Sequence, residues 1–176
     1  STFGNSVAIG ENYIAIGDQA EDINTGQVFI YEKTGTNTWT ASADNPITAD
    51  VGDDQDFFGS SVAVTDDSVI IGALGDSNKK GAVYIFQKNI DTEVWEQTQK
   101  VFASDGLAND QFGESISASG DYFVVGASLK DNSVGEVNAG AAYVFKYSTS
   151  WYEVDKLTSV DETDPDGATG DISLTC

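Results

Sequence analysis

The residues best suited to bind an ion lie in an acidic run near the end of the 176-residue chain. Aspartates recur there at short intervals around a glycine, and Ca²⁺ prefers carboxylate oxygens on a loop that can bend tightly. The candidate calcium ligands are Asp161, Asp164, Asp166 and Asp171. An EF-hand register fails, because Ser173 stands where a bidentate glutamate is required. The run therefore predicts either a calcium site or a solvated, turn-rich connector.

Catalytic chemistry is restricted by the absence of histidine. Without imidazole the chain lacks the usual general base, the usual zinc ligand and the serine or cysteine triads that depend on it. Two positioned carboxylic acids would suffice for glycoside hydrolysis, but the sequence singles out no pair among its 29 acidic residues. We therefore interpret the chain as a non-catalytic protein and assign no catalytic residue.

The charge balance excludes further classes of partner. Against 29 acidic residues stand eight basic ones, all lysines, which gives a formal charge of −21. Nucleic acids favour a positive field and the planar fork of arginine, so they are not expected as partners. No run of 18 apolar residues is present, so direct membrane insertion is not expected either. An alternative reason for the acidity is solubility in saline surroundings.

The chain consists of three copies of one unit. A Phe-Gly pair begins each copy, and the copies are about 55 residues apart, a period close to that of four-stranded propeller blades. The three pairs are Phe3-Gly4, Phe58-Gly59 and Phe112-Gly113, and further anchors in the same phase are Gly17, Gly72 and Gly126, then Trp39, Trp95 and Trp151. We predict units at residues 1–57, 58–111 and 112–176, the last ending in the acidic connector.

Each unit divides into four short segments rich in Val, Ile, Tyr and Phe, separated by Gly, Asn or Asp, which is typical of β-strands. In the first unit they cover residues 6–9, 13–17, 27–33 and a less regular stretch from Trp39. No helix is predicted. Because a four-stranded meander buries little alone, copies must stack on one another. We predict an all-β fold of the β-propeller type with three four-stranded antiparallel blades.

These motifs resemble the FG-GAP repeat, most clearly at residues 58–63, 70–73 and 81–86. The resemblance implies blades similar to those of the propeller at the head of integrin α subunits, and an extracellular or cell-surface location. Calcium-binding members of that family carry Asp-x-Asp-x-Asp-Gly between the first two strands. The corresponding turns here are too short, so the calcium site of the family is not carried over to this chain.

The repeated anchors are interpreted as structural residues. We expect the three phenylalanines to pack between adjacent blades, and the glycines after them to allow close backbone approach or a positive φ. The three tryptophans are expected to cover the edge of each sheet, with stacking on sugar rings as the alternative. Asp56 and Asp110, two residues before a Phe, are expected to accept hydrogen bonds from turn amides.

In a meander, the loops between the second and third strands share one end with the connections to the next unit. We call this end the acidic loop face. It receives Asp18, Glu21, Asp22, Asp53, Asp54, Asp56, Asp76, Asp105, Asp110, Asp131, Glu136, Asp161, Asp164, Asp166 and Asp171, offset only by Lys79, Lys80 and Lys130. In integrin-like propellers the corresponding loops meet ligands, so the resemblance implies the same for this end.

Three blades do not make a ring, since propellers close with about four to eight. Two blade faces would remain exposed, so we predict contacts with further repeats of the same precursor or with other copies of the chain. The leading hypothesis is a non-catalytic adhesion or scaffolding module that binds an extracellular protein or glycan through the acidic loop face. The alternatives are a structural subunit of an extracellular filament or sheath, and an accessory domain of a secreted hydrolase.

Overall fold

The computed structural model describes residues 1–131 and 137–158 of the chain. Its strands form three sheets, named blades 1, 2 and 3 in chain order. Blade 1 contains β1 (Ser6–Ile9), β2 (Tyr13–Asp18), β3 (Gln27–Gly35) and β4 (Thr38–Ala41). Blade 2 contains β5 (Phe58–Val64), β6 (Ser68–Ala73), β7 (Ala82–Lys88) and β8 (Trp95–Val101). Blade 3 contains β9 (Ser115–Ser119), β10 (Tyr122–Ala127), β11 (Ala141–Tyr147) and β12 (Trp151–Leu157).

Each blade is a meander in which every strand pairs antiparallel with the next one. This confirms the predicted all-β fold with three four-stranded antiparallel sheets of the β-propeller type. The strands predicted in the first unit agree with β1, β2 and β3 to within two residues. They could be predicted because β-branched and aromatic residues fill them and glycine or polar residues end them.

The prediction that the chain contains no helix was wrong. A single helical turn, α1 (Asp76–Lys79), lies between β6 and β7. Its Ser77 and Asn78 have φ of 54° and 62°, so the turn is left-handed. Residues 22–24 adopt the same conformation between β2 and β3, with φ from 47° to 65°. Asp22, Asn24 and Asn78 belong to the residue types that tolerate this region best, and hydrogen bonds from the next linker hold both turns in place.

The core consists of two apolar layers, one between blades 1 and 2 and one between blades 2 and 3. We call the side of a blade that faces the preceding blade its front face, and the other side its rear face. In blade 2 the front face carries Tyr84 and Phe86, and the rear face carries Ile70, Val83 and Ile85. Each junction therefore packs a front face with large aromatic rings against a rear face of smaller aliphatic side chains.

The described blades do not close into a ring. Strand contacts run from blade 1 to blade 2 and from blade 2 to blade 3. No sheet of the described chain packs on the front face of blade 1 or on the rear face of blade 3. Within residues 1–131 and 137–158 no helix is long and apolar enough to cross a membrane.

Candidate functional site

The acidic loop face is built by backbone hydrogen bonds between successive blades. The N–H groups of Phe57 and Phe58 donate to the carbonyls of Asn24 and Thr25, at 2.8 and 3.0 Å. The same two bonds recur one blade later, from residues 111 and 112 to residues 79 and 80, at 2.9 and 3.0 Å. Each left-handed turn thus holds the linker that enters the next blade. The loops and linkers lie at one end of the molecule, as the meander predicts.

Two carboxylates of this face cap the linkers from inside. Asp56 accepts a hydrogen bond of 2.9 Å from the N–H of Asp53, and Asp110 accepts one of 2.7 Å from the N–H of Leu107. Both aspartates are buried. Burial raises the pKa of Asp56, with a further contribution from the neighbouring charge of Asp76. The predicted role of both residues as turn caps is confirmed.

A third carboxylate, Asp76, lies at the centre of a buried polar cluster in blade 2. The Tyr84 hydroxyl donates to it at 2.6 Å, the Ser77 hydroxyl donates at 2.6 Å, and the Lys100 ammonium lies 2.6 Å away. Burial alone would raise the pKa of Asp76, but these donors and the positive charge hold it below its usual value. Burial, the hydrogen bond to Asp76 and the negative charge of Asp76 raise the pKa of Tyr84.

Blade 3 repeats this tyrosine, carboxylate and lysine cluster with a carboxylate from a different loop. The Tyr143 hydroxyl donates to Asp105 at 2.7 Å, and the Lys156 ammonium lies 2.9 Å from it. Burial opposes ionisation, but these two donors lower the pKa of Asp105. Lys130 lies beside the cluster, with its ammonium 3.0 Å from Asp110 and its side chain only 6% exposed.

Lys100 and Lys156 also offset the acidic loop face, which the sequence did not predict. Only Lys79, Lys80 and Lys130 were expected to do so, because those lie in loops, whereas Lys100 and Lys156 lie on β8 and β12. The strand register places Lys100 opposite Tyr84 and Lys156 opposite Tyr143. Both lysines immediately precede the last apolar residue of the fourth strand, and this shared position in the sequence could have indicated their common role.

Among the described residues of the acidic loop face, the exposed carboxylates are those of Asp22, Asp53, Asp54, Asp105 and Asp131. Asp105 is nevertheless engaged by Tyr143 and Lys156, so its carboxylate serves the fold. Among residues 1–131 and 137–158, no group of three or more acidic, histidine or cysteine side chains is arranged to hold a metal ion. The predicted calcium ligands Asp161, Asp164, Asp166 and Asp171 lie outside the described residues, so that site stays a prediction.

The tryptophans mark the opposite end of the blades. Trp95 and Trp151 are buried in the two apolar layers, where they contact Tyr13 and Phe123 with ring centroids 4.9 and 4.7 Å apart. Their ring faces are covered by protein, which leaves them unavailable for stacking on a sugar. Trp39 is half-buried, and the Lys33 ammonium lies 6.0 Å from its ring centroid.

A cleft of about 480 Å³ opens beside Tyr13 and Ile90 at this opposite end, between blades 1 and 2. Its Lys88 and Glu93 already serve the fold. The Lys88 ammonium lies 2.9 Å from Glu32 and 2.7 Å from Glu93, and these two carboxylates raise the pKa of Lys88. The cleft is therefore best explained by packing between the blades.

The repeats were also compared with known proteins. Residues 41–86 and 95–145, together more than half of the chain, match the model of the FG-GAP repeat. The chain belongs to the FG-GAP repeat family. No curated protein matches it. Among solved structures 75 chains match, and one is the crystal structure of Sqt1 from Saccharomyces cerevisiae, at 8% identity and a TM-score of 0.52. That match covers 90% of this chain and 35% of the other, and it supports the fold alone.

The three FG-GAP phenylalanines do not share one environment. Phe58 and Phe112 are 1% and 0% exposed and lie in the two apolar layers. Phe3 is 51% exposed, and its packing between blades stays a prediction, because no blade among the described residues precedes blade 1. The ring of Phe3 packs edge-to-face against Phe29 of its own blade, with the ring centroids 5.2 Å apart.

Proposed function

We propose that this chain is a non-catalytic, extracellular FG-GAP module for adhesion or scaffolding, which binds a partner through the acidic loop face. The observation that carries the proposal is that some aspartates of that face are buried and hydrogen-bonded within the fold, whereas others are exposed. Asp56, Asp76 and Asp110 are buried and serve internal donors. Asp53 and Asp54 project from a linker whose backbone is held by the preceding blade. Exposed charges on a linker whose backbone is fixed by hydrogen bonds are suited to the recognition of another protein surface.

The chemistry of the exposed groups favours a basic protein surface as the partner. Lys100, Lys130 and Lys156, which lie near this face, are committed to its own carboxylates. Among the described residues, Lys79 and Lys80 then remain to offset the exposed aspartates. Complementary charge raises association rates and gives specificity, and its effect weakens with added salt. A neutral glycan is the second class of ligand that this surface would accept without repulsion.

The test is a matched pair of double variants that each remove two negative charges. The first is Asp53→Asn with Asp54→Asn on the acidic loop face, and the second is Asp66→Asn with Asp67→Asn at the opposite end. All four side chains are exposed. Binding is measured by a surface biosensor against immobilised lysozyme as a basic protein, a neutral polysaccharide and heparin.

We expect the first variant to weaken binding to the basic protein or the polysaccharide about tenfold, and the second to change it less than twofold. Heparin should not bind, because its charge has the same sign as that of the chain. Equal losses in the two variants would mean that only the overall charge of −21 attracts the basic protein. Unchanged binding in both would overturn the assignment to the acidic loop face.

A further inference from the structure

The front face of blade 1 is a continuous apolar surface. The strand register places Val7 opposite Ile16 and Ile16 opposite Phe29, and it places Ile9 opposite Ile14. Directly paired residues lie on the same side of a sheet, so these side chains share one face. Val7 and Ile9 are 68% and 71% exposed. An uncovered apolar face of this kind indicates a binding surface.

The same face is covered where the chain repeats it. In blade 2 the equivalent front-face residues are Val62, Val64, Val69, Ile71, Tyr84 and Phe86, which have the same register. Of these, all except the half-buried Val64 are buried, and the layer they form includes Ala15, Val28 and Ile30 from the rear of blade 1. The structure therefore shows what covers a front face of this type, namely the rear face of another blade.

The rear face of blade 3 is the matching surface that lacks a neighbouring blade among the described residues. In blade 2 the rear-face row Ala63, Ile70 and Ile85 packs on blade 3. Blade 3 carries Ser117, Val124 and Val144 in the same register positions. These are again small or aliphatic side chains. No sheet of the described chain covers them.

A hydrogen bond joins neighbouring blades at each junction. Its donor position recurs on one of these two open faces and its acceptor position on the other. At the first junction the Ser6 hydroxyl donates to the carbonyl of Gly59 at 2.8 Å, and at the second the Ser61 hydroxyl donates to the carbonyl of Gly113 at 2.7 Å. The donor position is repeated on the rear of blade 3 by Ser115.

The acceptor position of the same contact is repeated on blade 1 by Gly4. Gly4 has φ of 93°, in line with 85° at Gly59 and 95° at Gly113. A Cβ on Gly59 would meet the carbonyl oxygen of Gln27 at 2.8 Å, whereas a Cβ on Gly4 would meet nothing within 4 Å. Gly4 thus has the backbone conformation found at the blade junctions, although no described blade lies beside it.

We propose that the front face of blade 1 docks on the rear face of blade 3 of a second copy of the chain. The contact repeats the junctions within the chain, with Ser115 of one copy donating to the Gly4 carbonyl of the next. Because the two surfaces differ, the association is head-to-tail and produces a ring or a filament, depending on whether the rotation closes. It leaves the acidic loop face free, so it does not depend on the binding function proposed above.

The test uses sedimentation velocity on chains in which one face is blocked by a lysine at an exposed position. Ile9→Lys blocks the front face, Ser117→Lys blocks the rear face, and Ile90→Lys is a matched control in the outer hairpin of blade 2, where Ile90 is 86% exposed. Circular dichroism checks that each variant is folded. If one is not, Val7→Lys and Ser119→Lys replace the first two.

We expect the wild-type chain and Ile90→Lys to associate with rising concentration, and each blocked variant alone to be monomeric. An equimolar mixture of the two blocked variants should give a dimer and nothing larger, because only one open front face and one open rear face remain. A monomeric wild-type chain at high micromolar concentration would overturn the proposal. So would dimers of Ser117→Lys alone, which would show a symmetric contact between two front faces, or a mixture that stays monomeric.

Discussion

At the scale of single residues, the surroundings decide what a repeated motif contributes. Phe58 packs edge-to-face against Tyr84 with ring centroids 5.3 Å apart, and Phe112 packs in the same way against Tyr143 at 5.5 Å. Such pairs add to the free energy gained by burying the rings. Phe3 begins the same motif but remains half exposed. The three residues are equivalent in sequence and differ in their contribution to stability.

We therefore predict unequal effects of the same substitution. Phe58→Ala and Phe112→Ala should each lower the free energy of unfolding by about 3 to 5 kcal/mol, because each leaves a cavity between two blades. Phe3→Ala should cost less than about 1 kcal/mol at concentrations where the chain is monomeric. Urea titration followed by tryptophan fluorescence measures all three. Similar losses at the three positions would show that the phenylalanine acts within its own blade.

A second prediction concerns acid. The pKa of Asp76 is lowered in the folded chain, so its contribution to stability is present above its unfolded pKa of about 4 and is lost as pH falls through the lower folded value. Asp105 acts in the same direction, since its pKa is also lowered. Asp76→Asn should cost about 3 kcal/mol at pH 7, because it leaves Lys100 without its buried partner.

The measurement for this second prediction is urea unfolding at pH 7 and at pH 3. The difference in unfolding free energy between wild-type and Asp76→Asn should shrink at the lower pH, because proton uptake by the unfolded Asp76 favours the unfolded state there. Asp66→Asn, at an exposed turn, serves as the control. A difference that stays constant with pH would show that Asp76 acts through its neutral hydrogen bonds.

The predicted calcium ligands give a third test. If Asp161, Asp164, Asp166 and Asp171 bind Ca²⁺, calcium at 100 times its dissociation constant should stabilise the chain by about 2.7 kcal/mol. Magnesium should do less, because it gives up its water reluctantly. The melting temperature is compared in the two ions at equal ionic strength, with Asp164→Asn plus Asp166→Asn as the variant that should lose the difference. Equal responses to both ions would leave only screening of the −21 charge.

At the scale of elements, the strands could be predicted from the sequence and the left-handed turns could not. Apolar segments punctuated by glycine give β1 to β3 because the strand signal is local. The turn at residues 76–79 carries no such signal. Its backbone is held by contacts distant in sequence, such as the N–H of Gln111 donating to the carbonyl of Lys79 at 2.9 Å. A polar loop sequence allows many conformations, and the next linker selects this one.

The glycines after each phenylalanine give a prediction at this scale. Gly4 and Gly59 have similar positive φ, so alanine pays a similar backbone cost at both, about 1 to 2 kcal/mol. Only at Gly59 would the added Cβ also collide with the preceding blade. Gly59→Ala should therefore destabilise the chain by about 1 to 3 kcal/mol more than Gly4→Ala. Urea unfolding of dilute protein measures the difference, and equal losses would mean that only backbone strain matters.

At the scale of the whole molecule, the sequence predicted which end is acidic but overestimated how much of that charge is free. Successive connections of a meander lie at alternate ends of the sheet, so the loops between the second and third strands share one end with the linkers. The hydrogen bonds between these loops and linkers show that arrangement. The burial of Asp76 and the approach of Lys100 and Lys156 depend on packing across strands. Composition alone cannot separate a carboxylate that caps a turn from one that meets a ligand.

The last prediction separates the two proposed surfaces by their response to salt. Each chain carries a formal charge of −21, so copies repel one another while the faces that would join them are apolar. Raising NaCl from about 50 to about 500 mM shortens the Debye length from roughly 14 to roughly 4 Å. Association between copies should therefore strengthen several-fold, as measured by sedimentation. Binding of the acidic loop face to lysozyme should weaken over the same range, because that attraction is electrostatic.

If association between copies also weakened with salt, charged groups would hold the copies together and the apolar junction would be the wrong model. If lysozyme binding did not change with salt, the exposed aspartates would not be its binding site.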